Sequence, residues 1–84
     1  MTVRLLLFAT AREAAGRGRD DFDVAATPNL GALLDAARAA YGAPFETVLA
    51  GSRVWVNGDE PAQGRATELS DGDEVAVLPP VSGG

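Results

Sequence analysis

Three side-chain chemistries are missing from this chain. It has no cysteine, no histidine and no lysine, and all seven of its basic residues are arginine. Without cysteine there is no disulfide framework, no thiolate nucleophile and no thiolate metal site. Without histidine there is no imidazole to act as general base or metal ligand, and without lysine no Schiff base can form. Coding bias alone is enough to explain a lysine-free chain; the same lack would also stop the chain from acylating its own side chains if its carboxyl end were activated. No apolar run approaches the length of a membrane span, and no charged segment precedes an apolar stretch with a cleavage site, so a cytoplasmic protein is expected. The reactive groups that remain are scattered carboxylates, hydroxyls and the two chain ends.

With 84 residues the chain is one small domain, able to bury about two-thirds or less of its unfolded surface. Such a size suits a compact carrier or binding module better than an enzyme with its own deep pocket. The formal net charge of −5 is spread along the chain rather than blocked. That argues against nucleic acid and anionic membranes as partners, and for a partner with a basic surface.

Hydrophobic periodicity organises the chain. Thr2 to Ala9 reads as a strand, with Val3, Leu5 and Leu7 on one face and Arg4, Leu6 and Phe8 on the other. Thr10-Ala11-Arg12-Glu13 has the spacing of a capping box and predicts a short helix closing at Gly16. Asp21 to Val24 alternates as a second strand, a hairpin partner of the first. Thr27-Pro28 reads as a helix start, and Leu30, Leu33, Leu34, Ala37 and Tyr41 form one apolar stripe that ends at Gly42, with Pro44 preventing resumption. Phe45, Val48 and Leu49 suggest an irregular or single-turn helical plug. A third strand is expected over Arg53–Val56 before the tight-turn pair Asn57-Gly58, a short edge strand at best over Glu60–Arg65, and a last strand over Glu74–Leu78. This order predicts an α+β domain, a mixed sheet of four to five strands with one long helix packed across one face. It is the β-grasp, or ubiquitin-like, order, in which the first and last strands lie side by side.

Two acidic groupings invite a metal reading, Asp71, Asp73 and Glu74 around Gly72, and Asp20, Asp21 and Asp23. Hard cations such as calcium need six to eight oxygens from a longer loop. A plain turn and a solvated hairpin flank account for these residues better. A surface patch is more promising. If Val3, Leu5, Leu7, Val75 and Val77 face the helix, then Leu6, Phe8, Ala76 and Leu78 face away from it on adjacent strands, and exposed patches of this kind mark interfaces. The competing reading places these four residues in the core.

The chain then ends as Leu78-Pro79-Pro80-Val81-Ser82-Gly83-Gly84. Two prolines stop the strand and hold the exit extended, and two glycines leave nothing wider than backbone. Six residues past Leu78 reach at most roughly 20 Å. The expected organisation is a domain over residues 1–78 followed by an extended, flexible tail over 79–84, shaped to enter a partner. A frayed, purposeless end is the alternative.

Three segments resemble one family. Leu6-Leu7-Phe8-Ala9-Thr10-Ala11-Arg12-Glu13 with Gly16 is similar to the N-terminal signature of the molybdopterin synthase small subunit, Val54-Trp55-Val56-Asn57-Gly58 to its valine–asparagine strand and turn, and Leu69 to Gly84 to its ending. The resemblance implies a sulfur carrier with no bound cofactor that is not a catalyst alone. An ATP-dependent, ubiquitin-activating-like adenylyltransferase would adenylate the Gly84 carboxylate, and a sulfurtransferase system would convert it to a thiocarboxylate. Residues 79–83 (Pro79, Pro80, Val81, Ser82, Gly83) would insert that end into the synthase large subunit. There the sulfur passes to cyclic pyranopterin monophosphate, in a heterotetramer of two small and two large subunits. The resemblance also assigns Phe8 and Leu78 to a surface shared by both partners. Carriers for thiamine or cysteine biosynthesis, and a ubiquitin-like modifier joined to target lysines through Gly84, remain open alternatives.

Overall fold

A computed structural model of the chain describes residues 1–80. Its elements are β1 (Thr2–Leu7), α1 (Ala9–Ala15), β2 (Arg19–Asp23), α2 (Leu30–Tyr41), α3 (Ala43–Ala50), β3 (Arg53–Val56), a single 3-10 turn (Gly64–Ala66) and β4 (Glu74–Leu78). The four strands form one mixed sheet in the order β2-β1-β4-β3. β1 and β2 form an antiparallel pair, and β4 lies parallel to β1 and antiparallel to β3.

Alternation decides which side of the sheet each residue takes. Val3, Leu5, Leu7, Val75 and Val77 point to the helical side and are buried, as are Leu33 and Ala37 from the apolar stripe of α2. Phe45 and Leu49 of α3 close this core, and the Phe45 and Tyr41 rings meet edge to face at a centroid distance of 5.1 Å. The segment read as an irregular or single-turn plug is therefore an eight-residue helix. Pro44 does not end helical structure there. It sits in the first turn of α3, where its missing N–H leaves no bond unmade.

Three other expectations are corrected. Thr10 does not cap α1, because the chain turns into the helix two residues earlier: Phe8 is the N-cap, and its carbonyl accepts from Ala11 N–H (3.0 Å) and Arg12 N–H (3.3 Å). α2 begins at Leu30 rather than at Thr27-Pro28. Its N-cap is Asn29, whose Oδ1 accepts from Ala32 N–H (2.8 Å), and Thr27 is buried with its hydroxyl donating to the Asp23 carbonyl (2.9 Å). Tertiary pairing forces this later start: Leu30 N–H donates to the Thr67 carbonyl (2.9 Å), Leu69 N–H donates to the Pro28 carbonyl (3.0 Å), and Asn29 between them stays extended. Residues 60–65 form no edge strand, so the sheet stops at four strands. This segment is held on α2 by Arg65, which donates to Asp35 (2.9 Å) across Gly31, where an added Cβ would meet the guanidinium at 3.0 Å.

Elsewhere the turns follow their residues. Gly16 closes α1 in the left-handed region (φ 77°), and Asn57-Gly58 both have positive φ in a two-residue turn joined by reciprocal bonds between Val56 and Asp59. No helix among the described residues is long and apolar enough to cross a membrane.

Candidate functional site: the open sheet face

All three helices lie on one side of the sheet or at its edge, leaving the alternate residues of the strands on an open face. The strand registers allow this face to be read row by row. Arg4 of β1 stands between Asp21 of β2 and Glu74 of β4, with its guanidinium 4.0 and 3.6 Å from their carboxylates. In the next row Leu6 has Arg19 on one side and Ala76 on the other, and Ala76 pairs in turn with Trp55 of β3. Beyond them Leu78 faces Arg53. Leu6, Trp55, Ala76 and Leu78 are half-buried, and Phe8 is 44% exposed.

The face is therefore graded along its strands, from ion-paired at the start of β1 to apolar at its end. Because β1 and β4 are parallel, both strands reach the apolar end together, and Leu7 lies beside Val77. Phe8 follows directly in an extended conformation, and the next residue, Ala9, turns the chain at φ 49°, a left-handed conformation that costs an L-residue about 1 kcal/mol or more. Pro79 is half-buried and Pro80 exposed. The expectations for Val81, Ser82, Gly83 and Gly84 fall outside the described residues.

Leu6, Phe8, Ala76 and Leu78 thus occupy one end of one face, at the root of the C-terminal segment. Trp55 belongs with them and is the residue that the sequence reading left out. Its signal was the alternation within Arg53-Val54-Trp55-Val56, where Val54 and Val56 pack against the core and Trp55 must take the other side.

The acidic residues hold turns. Asp71 Oδ1 accepts from Thr2 N–H (2.7 Å), and Asp73 accepts from Ser70 N–H (2.7 Å) and the Asn57 amide (3.0 Å). Asn57 in turn accepts from Glu74 N–H (2.9 Å), tying the start of β4 to the end of β3. A concavity of 380 Å³ is lined by Thr2, Arg4, Asp21 and residues 71–74. It lies at the polar end of the face, away from the root of the C-terminal segment, and its charged walls already pair with one another.

One further cluster sits at the sheet edge. Tyr41 donates to Asp20 (2.6 Å), as does Arg17 (3.1 Å), and the Arg17 guanidinium lies 5.8 Å from the Tyr41 ring centroid. Burial opposes the Asp20 charge, but the hydrogen bonds from Tyr41, the Asp21 N–H and Arg17 outweigh it and hold its pKa below the ordinary carboxylate value. Burial, then the bond to Asp20, pushes the Tyr41 hydroxyl well above its ordinary value. The cluster fastens the β2 edge to the end of α2.

A four-stranded mixed sheet with parallel first and last strands, helices across one face and an apolar patch where the last strand exits defines a ubiquitin-like β-grasp domain. Within that class the chain belongs to the ThiS family, whose family model matches residues 5–84. It is 39% identical, over an 88-position alignment spanning the whole of both chains, to the molybdopterin synthase sulfur carrier subunit of Chlamydomonas reinhardtii. Among solved structures, SAMP1 from Haloferax volcanii is 32% identical over all of both chains, with a TM-score of 0.84. The small archaeal modifier protein SAMP1 from Methanosarcina acetivorans is 28% identical over 99% of this chain and 96% of that one, with a TM-score of 0.82.

Proposed function

We propose that this chain is the sulfur-carrying small subunit of a molybdopterin synthase. The observation that carries the reading is the parallel pairing of β1 with β4, which sets Leu6, Phe8, Trp55, Ala76 and Leu78 at the root of a segment ending in Gly-Gly. A partner gripping that patch receives the chain end in a fixed direction. The full-length likeness to the Chlamydomonas carrier subunit supports the molybdopterin pathway among the sulfur-carrier pathways.

The chemistry suits a domain that lacks a base of its own. A carboxylate is a poor electrophile because its leaving group would be oxide. An ATP-dependent adenylyltransferase therefore first converts the Gly84 carboxylate into an acyl adenylate, with cationic groups of that enzyme offsetting the phosphate charge. Replacement of AMP by sulfur gives a thiocarboxylate, an anionic nucleophile at neutral pH that needs no neighbouring imidazole or amine. In the large subunit this sulfur attacks cyclic pyranopterin monophosphate, and acid–base work falls to that subunit. Both partners use the same apolar patch, so the two complexes exclude one another, and two small subunits join two large ones in the synthase.

A second reading has its own support. The SAMP1 structure from Methanosarcina acetivorans is named a small archaeal modifier protein, so the same activated end could be joined to a lysine of a target protein. Reconstitution separates the two. Thiocarboxylated chain mixed with a large subunit and cyclic pyranopterin monophosphate is expected to yield the dithiolene product and regenerate the carboxylate. No product, together with lysine-linked conjugates in cell extract, would replace the first reading with the second.

A further inference from the structure

The cations nearest the apolar patch are all guanidinium groups. Arg53 pairs with Leu78, the last strand residue before the C-terminal segment, and Arg19 lies beside Leu6 in the row next to it. Both are exposed, and the Arg53 side chain is 75% accessible, its one ion-pair contact among the described residues being to Glu60 at 3.7 Å. With strands about 4.8 Å apart and about 3.3 Å per residue along each, both positions lie closer to Leu78 than the roughly 20 Å contour length of six residues. The Met1 nitrogen lies at the other end of β1. That end is about seven residues, or roughly 23 Å, from Phe8, beyond the same reach.

Arginine and lysine supply the same charge to a docking surface but differ as nucleophiles. A guanidinium stays protonated at any physiological pH, whereas a small fraction of an ammonium group is always the free amine. A free amine attacks an activated acyl carbon. Its lone pair forms the C–N bond, the bond from that carbon to the leaving group breaks, AMP or thiolate departs with the electron pair, and the nitrogen loses one proton to solvent.

Resting on the carrier reading of Gly84, we propose that the cationic rim of the docking face is built from arginine so that the activated chain end meets no amine of its own domain. The domain is then an acyl and sulfur donor that cannot serve as its own acceptor. If it is attached to other proteins, it is attached as single copies, with no branched chains growing through its own side chains.

The test uses the full-length chain carrying a preformed thioester at Gly84, which requires no activating enzyme. Wild type, Arg53→Lys, Arg19→Lys and Arg53→Gln are incubated at mildly alkaline pH, with and without glycinamide as an external amine, and followed by intact mass. Glycinamide should be acylated by all four. Without it, wild type and Arg53→Gln should give only the free acid. The two lysine variants should give a product one water lighter than the acid, in at least about ten-fold excess over wild type, because a tethered amine acts at high effective concentration. Lysine variants that hydrolyse in the wild-type ratio while still acylating glycinamide would overturn the proposal, and so would self-linked wild type. Failure of the carrier reading would show instead as an absent thiocarboxylate in cells, which this measurement does not involve.

Discussion

Every strand of the sheet contributes to both of its faces, yet the two faces are composed by different rules. On the covered face Val3, Leu5, Leu7, Val75 and Val77 have almost no accessible surface and meet Leu33, Ala37 and Phe45 from the helices. On the open face, one residue along each strand, the centre passes from charge to apolar surface within three rows: Arg4 with its two carboxylates, then Leu6 with Ala76 and Trp55, then Leu78, the last two rows edged by Arg19 and Arg53. A core needs only to exclude water, so a uniform face serves it. A face proposed to dock a partner and present a chain end to it gains from a gradient, and the apolar end of this one coincides with the exit of β4.

The comparison is broken most severely from the covered side. Phe45→Ala removes a fully buried ring and should cost about 3–5 kcal/mol in urea unfolding, a large part of the stability of so small a domain. Trp55→Ala, on the other face, should change unfolding by no more than about 1 kcal/mol, yet lower affinity for the large subunit about ten-fold or more in titration calorimetry. A loss of stability comparable to that of Phe45→Ala, with binding intact, would show that the open face is structural.

Tyr41→Phe should cost about 1 kcal/mol, because only a hydrogen bond to a charged partner near the surface is lost. Its pH dependence has a definite sign. The Asp20 pKa is lowered by folding, so its contribution is present above the ordinary value of 3.8 and fades as pH falls below it. The Tyr41 pKa is raised, so the hydroxyl's contribution is present below its ordinary 10.0 and fades as pH rises beyond that. Wild type should therefore lose stability at both extremes more steeply than the phenylalanine variant in thermal melts. The smallest effect is expected for Arg4→Gln at the polar end: at most about 0.5 kcal/mol, shrinking further with added salt, since its carboxylate partners are exposed.

In Val3-Arg4-Leu5-Leu6-Leu7 and Glu74-Val75-Ala76-Val77-Leu78 the sequence alone was enough to assign both strands, but their apolar runs left the faces open until the burial of Val3, Leu5, Leu7, Val75 and Val77 decided them. It failed where distant backbone decided the local structure. Thr27-Pro28 has good helix-start chemistry, but residues 67–69 hydrogen-bond to Pro28 and Leu30 instead, and Asn29 between them takes over the cap. Residues 60–65 carry little pattern of their own and take their shape from Arg65 lying on α2. Trp55 was legible but passed over, because it was read as part of a strand and not by the side of the sheet it occupies. The reactive group proposed for the chain was visible only as a composition, two glycines after two prolines, and the exit of β4 beside the apolar patch follows from a parallel pairing between residues seventy positions apart in sequence.

The claim that Gly84 is the reactive group is tested most directly by intact mass. The chain is incubated with an adenylyltransferase of the ubiquitin-activating type, ATP and a sulfur donor, and its mass is compared before and after. The expected result is a single exchange of oxygen for sulfur, located by fragmentation at Gly84 and absent from a variant lacking that residue. An unchanged carboxylate under conditions where the enzyme consumes ATP would contradict it.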